Sequence, residues 1–326
     1  MSVSPLICTI VIPVYNGVEG LVRSAIASAA ECLDEGIELI VVDSGSIRPV
    51  SKDWMPAHPR ARLVLFEENL GLFPNWNRAM GLCQGDFVWA LCGDDRIVPN
   101  IFRQSVAKMR DNPMIALVST IGQLQSIDQK NVGVIGHMFA SGVYDGPAAG
   151  KVLLNFYANT LINPYNYPSG ILMRRSAMER VGGFDVEMKH IGDIDLYFRM
   201  LATGHLCILG EAGSVVTVHD GQTGKTMEKN PAKSLELQTM VKKLGYLTTT
   251  ERRHECFRLR GLLLLVPLQL LGQRDFFSAR KYFMFWLKNH PIAGTYSFMF
   301  IVFWKTLTKF SVGRRYWQRC LDQTSI

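Results

Sequence analysis

Two adjacent carboxylates, Asp94 and Asp95, end the segment DFVWALCGDD at positions 86–95. Like charges this close raise each other's energy unless a cation is shared between them. Their hard oxygens suit Mg²⁺ or Mn²⁺, ions that keep several waters and bind a diphosphate at the same time. A metal held there would stabilise the negative charge growing on a diphosphate leaving group. The plainer reading is a cap for a helix that opens at Pro99. A second acidic pair, Asp193 and Asp195 in GDIDL, falls in the first turn of a helical pattern, after the glycine-rich stretch Gly182-Gly183-Phe184-Asp185. Acids at a helix start complement the backbone dipole. One that faces a reacting carbon can also take the proton from an incoming hydroxyl, as a general base.

Three other places carry polar groups at the ends of apolar runs. Pro13-Val14-Tyr15-Asn16-Gly17 can lay backbone N–H groups and an aromatic ring against a nucleotide, or simply turn the chain with Asn16 as a cap. At Asp43-Ser44-Gly45-Ser46, the carboxylate either accepts the imide N–H of a uracil or thymine or caps its own turn. His219 ends the run SVVTVH and precedes Asp220-Gly221-Gln222-Thr223-Gly224, a loop suited to closing over a phosphate, although a lone histidine after a strand more often sits at the surface or caps.

The runs that precede these residues predict strands at 7–14, 37–43, 61–66, 86–92 and 114–120, with helical patterns near 19–33, 72–83 and 99–110 between them. That alternation is the signature of a parallel, doubly wound α/β sheet, and near-continuous apolar strands imply helices on both faces. Ligands of such sheets bind beyond the carboxyl ends of the strands, where strand order reverses. Glycines 133, 136, 142, 146 and 150 punctuate the stretch 121–168, which predicts loops and a short helix near 147–159. SGILMRRSAMERVGGFD (169–185) then reads as strand, helix and turn. A helix follows over about 192–203, and the strand pair CILG and SVVTVH closes the domain at about 224. Residues 225–326 form a helical C-terminal region, with periodic segments near 231–245, 250–272 and 276–289. Its apolar run from Ile292 to Trp304 is shorter than the roughly 20 residues a spanning helix needs.

The net charge of +7 is unevenly spread. Residues 1–220 hold 17 Lys+Arg and 22 Asp+Glu, a balance of −5, whereas residues 221–326 hold 18 and 6, a balance of +12. Trp, Phe and Leu interleaved at helical spacing in this basic tail favour peripheral contact with an anionic membrane over nucleic acid. A helical lid or a dimer interface is the alternative. The seven cysteines (Cys8, Cys32, Cys83, Cys92, Cys207, Cys256, Cys320) lack metal-site spacing and read as buried thiols of a reducing compartment. The start of the chain lacks the basic opening of a signal peptide, so a cytoplasmic protein at the inner membrane face is expected.

Taken in order, IVIPVYNG, ELIVVDSGS, ENLGLFPNWNRAMGLCQGDFVWALCGDD, PSGILMRRSAMERVGGFD, GDIDLYFRML and VTVHDGQTG resemble the motifs of the family 2 glycosyltransferases, inverting enzymes of the GT-A fold. The resemblance covers about 5–224 and implies a GT-A type, Rossmann-like, mostly parallel sheet. It also implies a nucleotide-sugar site in which Pro13, Tyr15 and Asn16 line the nucleotide and Asp43 meets the base. In that site Asn69 and Asn77 shape the donor pocket, and Asp94 and Asp95 handle ribose and metal. By the same likeness Asp193 is the catalytic base and His219 a metal or diphosphate ligand. Three departures from the pattern stand out, at four positions. Cys92 and Gly93 stand where many members carry another acid, Gly192 where a Glu often precedes the base, and Trp76, read as a packed helix residue, where many have Arg.

The expected reaction is a direct displacement. An acceptor hydroxyl, deprotonated by Asp193, attacks the anomeric carbon of a nucleotide-diphosphate sugar, with Mn²⁺ or Mg²⁺ at Asp95 and His219. The acceptor is a glycan or a lipid-linked hydroxyl, in cell-surface polysaccharide assembly. One rival is a non-catalytic nucleotide-sugar-binding scaffold, which needs Asp43, Asp94 and Asp95 but not Asp193. The other is a sugar nucleotidyltransferase, for which PVYNG lacks a phosphate-binding cation.

Overall fold

A computed structural model describes residues 6–136, 139–160, 162–219, 232–253, 255–256 and 321–324. Its strands are β1 (Cys8–Val14), β2 (Ile37–Ser44), β3 (Ala61–Phe66), β4 (Phe87–Ala90), β5 (Arg96–Ile97), β6 (Ile115–Ser126), β7 (Asn131–Ile135), β8 (Gly142–Tyr144), β9 (Ile171–Arg174) and β10 (His205–Val218). The helices are α1 (Glu19–Ala30), α2 (Leu72–Met80), α3 (Pro99–Asp111), α4 (Gly146–Thr160), α5 (Arg175–Arg180), α6 (Gly192–Met200) and α7 (Ala232–Lys243).

The sheet runs β3-β2-β1-β4-β9-β6-β10-β5, with β7 added to β6 and β8 to β10. β1 pairs in parallel with β2 and β4, β2 with β3, and β6 with β10. β9 alone lies between the two parallel halves and runs against both neighbours, β4 and β6. The α/β class with helices on both faces, expected from the alternating pattern, is what the chain adopts. Successive β1 residues point to opposite faces, and both sets are buried. Ile10 and Ile12 join Leu39, Val41, Trp89 and Phe102 in the core under α1 and α3, while Val11 joins Ile40, Val88 and the side chains of α2, α4 and α6.

Two sequence expectations are corrected. CILG and SVVTVH are not a strand pair but one strand, β10, that stays beside β6 throughout and absorbs Gly210-Glu211-Ala212-Gly213 as irregular register between Ile208 and Ser214. A glycine cluster that reads as a turn is here a bulge. The stretch 121–168 is also more ordered than its glycines suggest. β6 continues to Ser126 and folds back through Ile127–Lys130 onto β7, with Gln129 at φ 63° closing the turn. The expected helix near 147–159 is α4. Of the C-terminal segments, 231–245 is represented by α7; of 250–272 only 250–253 and 255–256 are described, both helical, and 276–289 and the apolar run 292–304 lie outside the described residues. Among the described residues no helix is long and apolar enough to cross a membrane.

One buried amide anchors the turn before β9 to β10. Asn166 is fully buried; its Nδ2 donates to Ser214 Oγ on β10 at 3.1 Å, and its Oδ1 accepts the Tyr167 N–H at 2.7 Å. A Cβ at either Gly122 or Gly170 would collide with this carboxamide, so both glycines make room for it. The bonds hold the 3-10 turn Pro168–Gly170, and Trp89 Nε1 adds a bond to the Ser169 carbonyl at 2.9 Å. Asn166→Ala leaves buried partners unpaired. It should lower the unfolding free energy by about 1–3 kcal/mol, read from urea denaturation.

Candidate active site

The loops that follow β1 and β2 are stitched together. Asn16 sits at φ 49°, its backbone N–H donates to Ser46 Oγ at 2.8 Å, and its Oδ1 accepts the Ile47 N–H at 2.9 Å. Asp43, 1% exposed at the end of β2, accepts the Ser46 N–H on Oδ1 and the Val50 N–H on Oδ2, both at 2.9 Å. It therefore caps its own loop, as the plainer sequence reading held, and each oxygen keeps a second lone pair. Gly45, at φ 77°, has no room for a side chain, because a Cβ would lie 2.8 Å from the Glu67 carbonyl oxygen. Pro13 is inside β1, and Tyr15 is half exposed beside this double loop.

The two asparagines expected at a donor pocket both hold backbone. Asn69 Oδ1 accepts from the Gly71 N–H at 2.9 Å and from Asn75 Nδ2 at 2.5 Å. Asn77 clamps a residue 107 positions away: Nδ2 donates to the Phe184 carbonyl at 2.7 Å, and Oδ1 accepts the Phe184 N–H at 2.9 Å. This docks the turn at Gly182 and Gly183, both at positive φ, onto α2. Phe184 is then stacked on Phe73 and met edge-on by Trp76, each with centroids 5.5 Å apart. Trp76 is thus a packing residue. A Cβ at Gly192 would fall 2.5 Å from the Phe73 ring, which explains a glycine there.

At the end of β4 the structure gathers an acidic cluster. Ligand atoms of Cys92, Asp94 and Asp95 lie within 4.8 Å of one another. Asp95 is buried; Oδ2 accepts from Ser169 Oγ at 2.5 Å and Oδ1 from the Thr217 N–H at 3.0 Å. Burial, helped by the charge of Asp94, pushes its carboxyl up to about 7 against the pull of these bonds. The end of β10 also brings His219 to the cluster, with Nε2 3.0 Å from Asp94 Oδ2. Burial, then the charges of Asp95 and Asp94, raise the Cys92 thiol well above its usual range. Two carboxylates, an imidazole and a thiol gathered in this way fit a divalent cation. The sequence marks Cys92 as a missing acid and one of the buried thiols; its place three residues before Asp95 is the signal that it belongs to the cluster. Of the other described cysteines, Cys8, Cys32, Cys83, Cys207 and Cys256 are buried free thiols.

The second acidic pair divides. Asp195 turns inward, fully buried, to Arg199 Nη2 at 2.7 Å and Lys243 Nζ at 3.3 Å. Arg199 in turn donates to the Val181 and Gly183 carbonyls at 2.6 and 2.8 Å, fixing the glycine turn. Asp193 is half-buried on a different side of α6. After burial, its charge is the next largest influence raising the Tyr157 and Tyr197 phenols, and it also raises the Cys92 thiol, so it lies in the electrostatic neighbourhood of the cluster.

The sequence model of glycosyl transferase family 2 matches residues 9–182. The chain belongs to that family. An uncharacterized glycosyltransferase of Rickettsia typhi is 26% identical over 223 residues, covering 68% of this chain and 67% of the relative. The pre-mycofactocin glycosyltransferase of Mycobacterium tuberculosis is 29% identical over 198 residues, 60% of this chain; the match spans only 39% of that protein. The crystal structure of residues 1–349 of S. aureus TarS in complex with UDP-GlcNAc superposes with a TM-score of 0.57 at 15% identity, over 84% of this chain and 81% of that one. That likeness shows the shared GT-A fold. The family 2 match ends at residue 182, before Asp193 and His219.

Asp95 makes the stability of this glycosyltransferase depend on pH. Its carboxyl rises from the ordinary 3.8 to about 7, so between these values the folded chain keeps a proton that the unfolded chain has lost. The contribution is present at low pH and is lost as pH rises through 7. In metal-free protein, the stability difference between wild type and Asp95→Asn should shift against wild type as pH goes from 4.5 to 7.5, measured by urea denaturation at each pH.

Proposed function

We propose that this glycosyltransferase moves a sugar from a nucleoside-diphosphate donor to a hydroxyl of a glycan or lipid-linked acceptor, with inversion at the anomeric carbon. The observation that carries the reading is convergence. The stitched loops after β1 and β2 and the acidic end of β4, with His219 beside it, stand at the carboxyl ends of parallel strands, where such sheets bind ligands. The charge of Asp193 on α6 reaches Cys92 at that acidic end.

Pro13, Tyr15 and Asn16 shape the cleft for the base, and Asp43 holds the Ser46–Val50 loop while a remaining lone pair accepts a pyrimidine imide N–H. Asn69 and Asn77 act through the backbone they hold. Asp94 meets the ribose side of the nucleotide. Asp95 and His219, with Asp94 and Cys92 beside them, would hold Mn²⁺ or Mg²⁺, and that ion would supply positive charge to the departing diphosphate. Asp193 accepts the acceptor's hydroxyl proton as its oxygen bonds the anomeric carbon. The bond from that carbon to the diphosphate oxygen breaks, releasing the nucleoside diphosphate. The solved TarS complexes contain UDP-GlcNAc and UDP, which supports a uridine-type donor. The +12 balance of residues 221–326 supports an acceptor at an anionic membrane surface on the cytoplasmic side.

Calorimetric binding of UDP, dTDP, GDP and CMP, each with and without Mn²⁺, should show one uridine or thymidine diphosphate binding with metal. Asp95→Ala should weaken it at least about tenfold; absence of any nucleotide binding would refute the assignment. Asp193→Asn should retain that binding and lose about 10²–10⁴-fold in transfer rate. Normal transfer by this variant would remove Asp193 from the role of base.

A further inference from the structure

Helix α6, which carries Asp193, has no cap of its own. The residue before it is Ile191, whose side chain accepts no hydrogen bond, so the backbone donors at its start need partners from elsewhere. The Ile191 N–H finds one on α7, together with the two N–H groups that precede it. Glu236 Oε1 accepts the Lys189 N–H at 3.0 Å, and Oε2 accepts those of His190 at 2.9 Å and Ile191 at 3.2 Å. Oε1 also lies 2.7 Å from His190 Nδ1. Both side chains are largely removed from water, His190 at 8% and Glu236 at 12% exposure. At the far end of α7, Lys243 joins Asp185 and Asp195. Glu236, in the second turn of α7, and Lys243, its last residue, therefore both grip the single unit 185–195 that carries Asp193. Neither Glu236 nor Lys243 lies in the segment matched by the family model, residues 9–182.

We propose that Glu236 is a positioning residue for Asp193, a remote cap that sets the geometry of the base from the C-terminal region. The proposal rests on the reading of Asp193 as the base. A carboxylate at a helix start gains from charge-assisted bonds to N–H groups and from the dipole's positive end. Without it, three backbone N–H groups and an imidazole nitrogen lose their shared partner at the entry to the first turn of α6. A displacement of about 1 Å at a reacting group is enough to cost about a hundredfold in rate.

The test uses the full chain, as wild type, Glu236→Ala, Glu236→Gln, Asp193→Asn and the double variant Asp193→Asn/Glu236→Ala. Turnover is read as nucleoside diphosphate released from UDP-GlcNAc, UDP-glucose, dTDP-glucose and GDP-mannose with Mn²⁺, and UDP affinity is measured by calorimetry. Glu236→Ala should lower kcat about ten- to a hundredfold, with donor KM and UDP affinity unchanged. It should add no further loss in the Asp193→Asn background, because the group it positions is already inactive. Glu236→Gln keeps the shape but has one acceptor oxygen for two sets of donors, so its kcat should fall between the other two; it also carries the test if the alanine variant does not fold. Wild-type kcat in both Glu236 variants, with Asp193→Asn inactive, overturns the positioning role alone. An equal fall in both backgrounds also overturns it, since Glu236 would then act elsewhere. Full turnover by Asp193→Asn overturns the base assignment, and the positioning role with it.

Discussion

Asp95 is a carboxyl group almost wholly withdrawn from water, next to another carboxylate, and much of the surrounding architecture answers that one electrostatic burden. Ser169 and the Thr217 N–H each give it a hydrogen bond, and Asp94 is met by His219. Those partners come from the turn before β9 and from the end of β10, so the far half of the sheet must close against β4 for the site to exist. The antiparallel insertion of β9 between two parallel halves achieves this. It puts the Pro168–Gly170 turn directly behind the acids, held by Trp89 and Asn166. The bonds offset only part of the cost of burial, and the group still titrates near neutrality. A buried carboxylate set beside a second one is suited to receive a cation.

The other side of the site follows a different rule. α6 is placed by packing and buried ion pairs rather than by the sheet. Phe184 is sandwiched by Phe73 and Trp76, Asn77 pins its backbone, and the ring of Phe73 occupies the volume a Cβ at Gly192 would need. The two departures from the family pattern at Trp76 and Gly192 are thus parts of one aromatic joint. Asp195, Arg199 and Lys243 form its charged counterpart. A fully buried carboxylate there is tolerated because two cations face it and Arg199 also satisfies two backbone carbonyls of the glycine turn.

The order and type of elements were legible in the sequence because parallel strands buried on both faces leave near-continuous apolar runs, and because helices leave their own period. The same local signals located Asp43, Asp94, Asp95, Asp193 and His219 at the ends of those elements. What misled was glycine. Its freedom serves a turn, a bulge or a close approach equally, so Gly210 and Gly213 looked like a break in what is one strand, and the glycines of 121–168 hid the β6–β7 hairpin.

The roles of individual polar residues were decided only by the tertiary structure, because a side chain's function depends on which atoms from distant segments reach it. The sequence by itself determined that acids stand at strand and helix ends. Folding decided that Asp195 is neutralised internally while Asp193, two residues earlier, is not turned to the same partners. Folding also drew Cys92 into the acidic cluster and turned Asn77 into a clamp on Phe184, 107 residues away. The cap of α6 comes from Glu236, some forty positions beyond it, which no spacing rule within the helix can anticipate. Periodicity reports how each element meets water; it carries no record of which partner an individual buried polar atom will find.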